Sequence, residues 1–395
     1  MRSFSSITAL TLSALAIFAA AHDSEPAAHK RMLARRSSTK KSCSVTHNTT
    51  SSAKGSATSA AAVASPTSSG NSTGLKFPEL GFKMPSAVPS SLDGWWADPS
   101  TEYAFVGFSY EISACQSQSQ LTKDFKNMRT KFNARYVRLY GACVQSGNKM
   151  KTKTGYYDTV VEAAWEAGLG VHALIWFGFD GGSLWEDQRD TLFTSISTNP
   201  KSKFVTRVVQ FGSEPLFDSV LPAKTLASQV TAYKKKLEPY QINVTVSELV
   251  YGFEETSASG RTAVLEAMDN VHVHTLPFFD TAATSGSAAM PLVQGDIKYF
   301  MNNAASKGKK IYMDENGWPS TTYSGVEANS KKAVASVNSE QQYFDLLDAQ
   351  CTYFKETNGG IAWFFHIYSD EQEPGYGLYS TSNKLKFPFA PKTSC

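Results

Sequence analysis

Short, uninterrupted apolar runs along the chain take turns with longer stretches whose apolar residues recur at helical spacing. The apolar runs fall at residues 104–110, 136–140, 170–176, 205–211, 242–250, 271–276, 310–313 and 361–367. Helical patterns cover 121–132, 156–167, 184–197, 225–237, 297–305 and 341–354. Strands alternating with helices of this length predict a parallel sheet. Eight such units in roughly 300 residues favour closure into a (β/α)8 TIM barrel. An open doubly wound sheet would need a glycine-rich phosphate loop after its first strand, and none follows Tyr110.

The first 75 residues follow a different pattern. Arg2 precedes an apolar stretch at 7–18, and Ala19-Ala20-Ala21 supplies small residues before His22. This reads as a secretory signal over residues 1–21, too short in its apolar part to span a bilayer. Residues 22–75 carry two dibasic pairs, Lys30-Arg31 and Arg35-Arg36, which are either processing sites or ordinary solvated charges. Half of residues 37–70 are Ser or Thr. Such a segment buries too little apolar surface to offset its ordering entropy, so a disordered, O-glycosylated stalk is expected. Sequons stand at Asn48 and Asn71 in the stalk and at Asn243 in the barrel. The barrel is expected to occupy 76–395. The final residues lack the hydrophobic tail of a lipid-anchor signal. The protein is therefore expected to be secreted, extracellular or wall-bound, without a membrane anchor, and monomeric.

Export bears on the five cysteines, most of which should pair in an oxidising compartment. Cys115 with Cys143 and Cys351 with Cys395 is the favoured pairing, leaving Cys43 odd. The charge, 38 basic against 35 acidic residues, is nearly balanced and excludes a nucleic-acid binder with a concentrated basic footprint. An aromatic content of 12% suits stacking on sugar rings, although core packing must account for most of it.

In a barrel of this kind, function sits at the C-terminal ends of the strands. The fourth strand ends at Gly212-Ser213-Glu214-Pro215 and the seventh at Asp314-Glu315-Asn316-Gly317-Trp318-Pro319-Ser320. Each puts a carboxylate on the rim, and two carboxylates across one cleft are the minimal apparatus for glycoside hydrolysis. Strand alternation should turn Asp314 away from the lumen, so it receives no role. His272 and His274 share a strand face, but two ligands without a third do not make a metal site.

These motifs, with Arg138-Leu139-Tyr140-Gly141-Ala142-Cys143 at the second strand, resemble glycoside hydrolase family 17, the β-1,3-glucanases of fungi and plants. The resemblance runs from about residue 105 to 379. It implies a retaining β-glucan hydrolase, with Glu315 as nucleophile and Glu214 as acid/base, and no cofactor or metal. It further implies that Tyr110 and Trp318 shape the cleft and that Arg138 and Tyr140 orient the nucleophile. Trp176, Ser213, Glu248, His274 and Phe278 complete the expected substrate-facing set. Three departures bear on linkage and subsite preference: Ser213 stands where the family has asparagine, His274 where asparagine is commoner, and Asp370-Glu371-Gln372-Glu373-Pro374 replaces a Trp-Lys pattern. Transglycosylation uses the same catalytic pair. A non-catalytic glucan-binding wall protein is the rival from another class.

Overall fold

The computed structural model describes residues 74–145, 151–177, 182–323 and 326–395. The expected signal, the stalk, the dibasic pairs, Cys43, Asn48 and Asn71 lie outside the described residues.

Eight parallel strands close into one barrel: β1 (Ala104–Glu111), β2 (Tyr136–Tyr140), β3 (Gly170–Ile175), β4 (Thr206–Ser213), β5 (Asn243–Leu249), β6 (Val271–Thr275), β7 (Ile311–Asn316) and β8 (Ile361–Phe365). β8 returns to β1, with Ala362 beside Ala104 and Phe365 beside Phe108. The main helices are α1 (Gln118–Phe132), α2 (Tyr156–Ala167), α3 (Leu184–Thr198), α4 (Ala223–Leu237), α5 (Ala258–Ala267), α6 (Met290–Asn302) and α7 (Val337–Ala349).

Local chemistry explains these elements. Ser117 caps α1 by accepting the Gln120 N–H, and Asn133 ends the helix at a left-handed φ of 57°. Between them Leu121, Phe125, Met128 and Phe132 make one buried stripe facing the sheet. The main core lies in this layer between sheet and helices. A smaller apolar cluster, Val106, Tyr136, Tyr312, Ala362 and Phe364, fills the lower part of the lumen.

The segment before β1 closes the floor. Phe77 stacks on Trp95 at 5.2 Å, and the Trp95 indole N–H donates to the Phe204 carbonyl at 2.7 Å. Arg129 of α1 ties the same segment by donating to the carbonyls of Pro78 (2.9 Å) and Glu79 (2.6 Å). Just ahead of β1, the fully buried carboxylate of Glu102 accepts hydrogen bonds from the hydroxyls of Tyr136 and Tyr312.

Two disulfides brace the other parts. Cys115, after β1, is bonded to Cys143, after β2, with S–S 2.06 Å. Cys351 is bonded to Cys395, their Cα atoms 5.8 Å apart. No helix among the described residues is long and apolar enough to cross a membrane.

The structure differs from the sequence reading at several boundaries. β4 and β7 run on to Ser213 and Asn316, so strand backbone leads directly to Glu214 and carries Glu315. α6 begins at Met290, where Pro291 sits in the first turn, a position its missing N–H tolerates. The last helical stretch breaks at Gln350, and Cys351–Glu356 forms a separate short helix. α5 has no counterpart in the predicted set.

Candidate active site

Both carboxylate-bearing strands lose regular register just before their glutamate. The β4–β5 pairing shifts between Gln210 and Ser213. On β6–β7, Val273 lies opposite Met313 while His274 lies opposite Glu315, so Asp314 is an extra residue. A bulge of this kind breaks the alternation of side chains and re-aims them. This corrects the expectation that Asp314 points outward. It is fully buried in the lumen, its Oδ2 accepting from the Gln210 amide and the Ser247 hydroxyl, both at 2.7 Å. On β4 the chain passes through Gly212 at φ 101° and Glu214 at φ 54°. A Cβ on Gly212 would meet the Phe177 ring at 2.8 Å, so only glycine fits there. Glu214, a non-glycine in the left-handed region, is held by its N–H, which donates to the Ser247 carbonyl at 2.8 Å.

The side chains form one buried network across the mouth. Arg138 of β2 donates through Nε to Gln210 (2.9 Å) and through an Nη to Ser247 (3.2 Å). Its Nε lies 3.4 Å from Asp314, and another Nη lies 3.9 Å from Glu315. Its nearest carboxylate is therefore Asp314, with the expected nucleophile second. His274 of β6 stands between the two glutamates: Nδ1 is 2.6 Å from Glu214 Oε1 and 3.4 Å from Glu315 Oε2. Its Nε2 is 2.6 Å from the Ser247 hydroxyl. Burial pushes the Asp314 carboxyl up, but Arg138, His272 and His274 outweigh it and hold it well below the usual carboxylate range.

Oxygens of Glu214 and Glu315 and a nitrogen of His274 lie within 4.8 Å of one another. A tetrahedral ion with bonds of about 2.0 Å would hold its ligand atoms about 3.3 Å apart. The 2.6 Å contact between His274 and Glu214 is instead the length of a charge-assisted hydrogen bond.

The remaining predicted residues divide by position. Tyr140 is buried at the mouth, and Arg138 lies 4.5 Å from its ring centre. Ser213 receives only a long contact from Arg138, 3.4 Å. Trp176, after β3, is half-buried, and its backbone N–H donates to Gln188 of α3 at 2.9 Å. Tyr110, expected in the cleft, is not there: its hydroxyl donates to Asp124 of α1 at 2.7 Å, in the layer outside the barrel. Trp318 is fully buried, donating to the Val334 carbonyl at 3.0 Å, and packs edge-on against Phe278 at 5.4 Å. The two support the loop from beneath and offer no open face for stacking. Glu248, expected to face substrate, turns away: Oε2 accepts the N–H groups of Leu216 (2.7 Å) and Phe217 (3.2 Å), and Oε1 that of Leu249. It holds the loop that follows Glu214. Asn243 opens β5 at the floor end and is half-buried.

Sequence reasoning missed Gln210 and Ser247, whose signal was a polar residue at an inward position of an otherwise apolar strand. It also missed His366, buried at the end of β8, whose Nε2 lies 2.7 Å from Glu373. The loop after Glu315 is fastened from a distance: Ser320 accepts from Lys386 Nζ at 2.8 Å, and that ammonium also meets Glu340 (2.8 Å) and Asp370 (3.1 Å).

Two buried, adjacent carboxylates in unlike surroundings can divide acid and nucleophile roles between them. Solved structures share the barrel, two of them from Rhizomucor miehei. One is an active-site mutant of the Rhizomucor miehei β-1,3-glucanosyltransferase in complex with laminaritriose; it is 18% identical, with a TM-score of 0.55 over 74% of this chain and 99% of its own. The other is the glycoside hydrolase family 17 β-1,3-glucanosyltransferase of the same organism, 19% identical, with a TM-score of 0.54 over 75% and 99%. No curated protein matches in sequence. The family model of the BtgE/BtgC glycoside hydrolase domain matches residues 104–377, well over half of the chain, from the start of β1 to beyond β8. The chain belongs to the BtgE/BtgC glycoside hydrolase family.

Proposed function

We propose that this protein is a secreted retaining hydrolase of cell-wall β-glucan, β-1,3-linked, with family 17 chemistry. The observation that carries the reading is the pairing of Glu214 and Glu315, whose oxygens lie within 4.8 Å. Retaining glycosidases hold their carboxyl groups about 5–5.5 Å apart, whereas inverting ones leave about 6.5–9.5 Å for a water. Glu315, beside Arg138, attacks the anomeric carbon while Glu214 protonates the departing glycosidic oxygen. Glu214 then takes a proton from water as that water displaces Glu315 and restores both groups. Trp176 offers a ring at the rim for sugar stacking. The two disulfides support an oxidising compartment, in keeping with the signal-like N-terminus.

A second reading is transfer, in which a sugar hydroxyl replaces the water. It draws on the names of the two R. miehei structures, both β-1,3-glucanosyltransferases. Incubating the purified protein with soluble β-1,3-glucan and following reducing ends and product length separates the readings. Shorter products with new reducing ends are expected. Products longer than the substrate would replace hydrolysis by transfer, and binding without any change in the glucan would sink the enzymatic reading.

A further inference from the structure

Among the described residues His274 is the one imidazole that reaches both candidate catalytic carboxylates, and donor counting fixes how it is protonated. Arg138 has only donors to offer, so it fills one lone pair of the Ser247 hydroxyl at 3.2 Å. Ser247 has a single hydrogen to give, either to His274 Nε2 at 2.6 Å or to Asp314 Oδ2 at 2.7 Å. Asp314 lies 3.4 Å from the guanidinium and also accepts from Gln210, whose carbonyl is committed to Arg138. An ionised carboxylate there is an acceptor only, so Ser247 donates to it. His274 Nε2 must then carry a hydrogen and donate to Ser247. That leaves Nδ1 facing Glu214 Oε1 across 2.6 Å, a gap that needs one hydrogen.

We infer that His274 Nδ1 and Glu214 Oε1 share one proton, held there by Asp314 acting through Ser247, and that this shared proton is the one Glu214 delivers to the leaving group. The inference rests on the acid/base role proposed for Glu214 above. His274 is thereby a positioning residue: it receives and presents the proton and does not itself touch the scissile bond. The groups facing it are Glu214 from β4, Ser247 from β5, and Asp314 and Glu315 from β7, with Arg138 from β2 behind them. The arrangement also sorts the two glutamates. Arg138 favours the ionised form of Glu315, and the His274–Ser247–Asp314 chain favours a proton on the side of Glu214. In the first step the proton passes to the leaving oxygen as the C–O bond breaks. In the second, one proton returns from water, so the pair ends as it began.

Long-range proton–nitrogen correlation of the full-length protein with ¹⁵N-labelled histidine tests the chain directly, with His274 assigned from a His274→Gln variant. Nε2 of His274 is expected to carry a proton throughout the active pH range. An unprotonated Nε2 would overturn the inference. Ser247→Ala and Asp314→Asn should each move the basic limb of kcat/KM on glucan down by about one pH unit, because Glu214 loses its proton more easily. Ser247→Thr keeps the hydroxyl and should restore the limb. An unmoved limb in Ser247→Ala, the milder change, would equally refute the relay. The spectrum needs no substrate. A wild-type protein inert towards every β-glucan would refute the functional reading, and the state of Nε2 would still decide the relay.

Discussion

The floor and the mouth of the barrel are both polar and both sealed from solvent, yet they handle charge in opposite ways. At the floor a single carboxylate, Glu102, faces the hydroxyls of Tyr136 and Tyr312, with Arg135 at 4.0 Å. Above it His172 packs among Tyr136, His272, Tyr312 and Phe364, and burial pushes its pKa well below the usual value, so it stays neutral. At the mouth three carboxylates, Glu214, Asp314 and Glu315, gather around one guanidinium and two imidazoles, those of His272 and His274. With more acids than permanent cations, a proton must be divided among neighbours. A matched cluster stabilises, whereas an unmatched one keeps a group ready to give or take a proton.

The sharpest break between the two regions should come from deleting the mouth carboxylates. Glu315→Ala is expected to lose at least about a thousandfold in glucan turnover, with azide giving an inverted product, since no glycosyl-enzyme can form. Glu214→Ala should lose as much on glucan yet still cleave an activated aryl glucoside, and azide should then yield the retained product. Exchanged stereochemistry would reverse the roles, and full activity in both would move the site elsewhere. Glu102→Ala is the converse experiment. It should lower stability by about 3–5 kcal/mol in denaturant unfolding, because the floor loses the carboxylate that Tyr136 and Tyr312 share and strands buried donors. Turnover per folded molecule should persist, and a loss of turnover without a loss of stability would erase the distinction drawn here.

A smaller effect belongs to Glu248, between the regions in role. Burial raises its carboxyl to about 8 despite the backbone donors around it. It binds a proton more tightly folded than unfolded, so its contribution is full below about pH 4.5 and declines as pH climbs towards 8. The slope should be at most about 1.4 kcal/mol per pH unit. Thermal melts across that window should show it in the wild type and a flatter profile in Glu248→Gln. Equal slopes would mean that Glu248 is ionised in the fold throughout.

The barrel was legible because its strands are short, mostly apolar runs and its helices carry clear stripes, as with Leu121, Phe125, Met128 and Phe132. Helix α5 escaped because Gly260, Arg261 and Thr262 interrupt such a stripe. The placement of Glu214 and Glu315 together at the mouth was legible from strand ends and motif context. Asp314 was misjudged for a specific reason: alternation assumes an unbroken register, and a bulge is a property of two strands together. Tyr110 and Glu248 were misplaced because the residue type suggests a cleft while the pleat turns them towards helix and loop. Ser247 gave a faint signal, and its importance depends on three neighbours drawn from three other strands.

The ammonium of Lys386 joins the loop after Glu315 to two other segments, meeting Ser320, Glu340 and Asp370. That fastening has a consequence for the order of assembly. A chain made from its N-terminus exposes both catalytic candidates once residue 315 has emerged, but the loop that steadies the second stays untied until residue 386 arrives. The surroundings of Glu315, the proposed nucleophile, are thus among the last parts of the barrel to be set during synthesis. A nascent chain holds the reactive side chains well before it holds the geometry that would make them work.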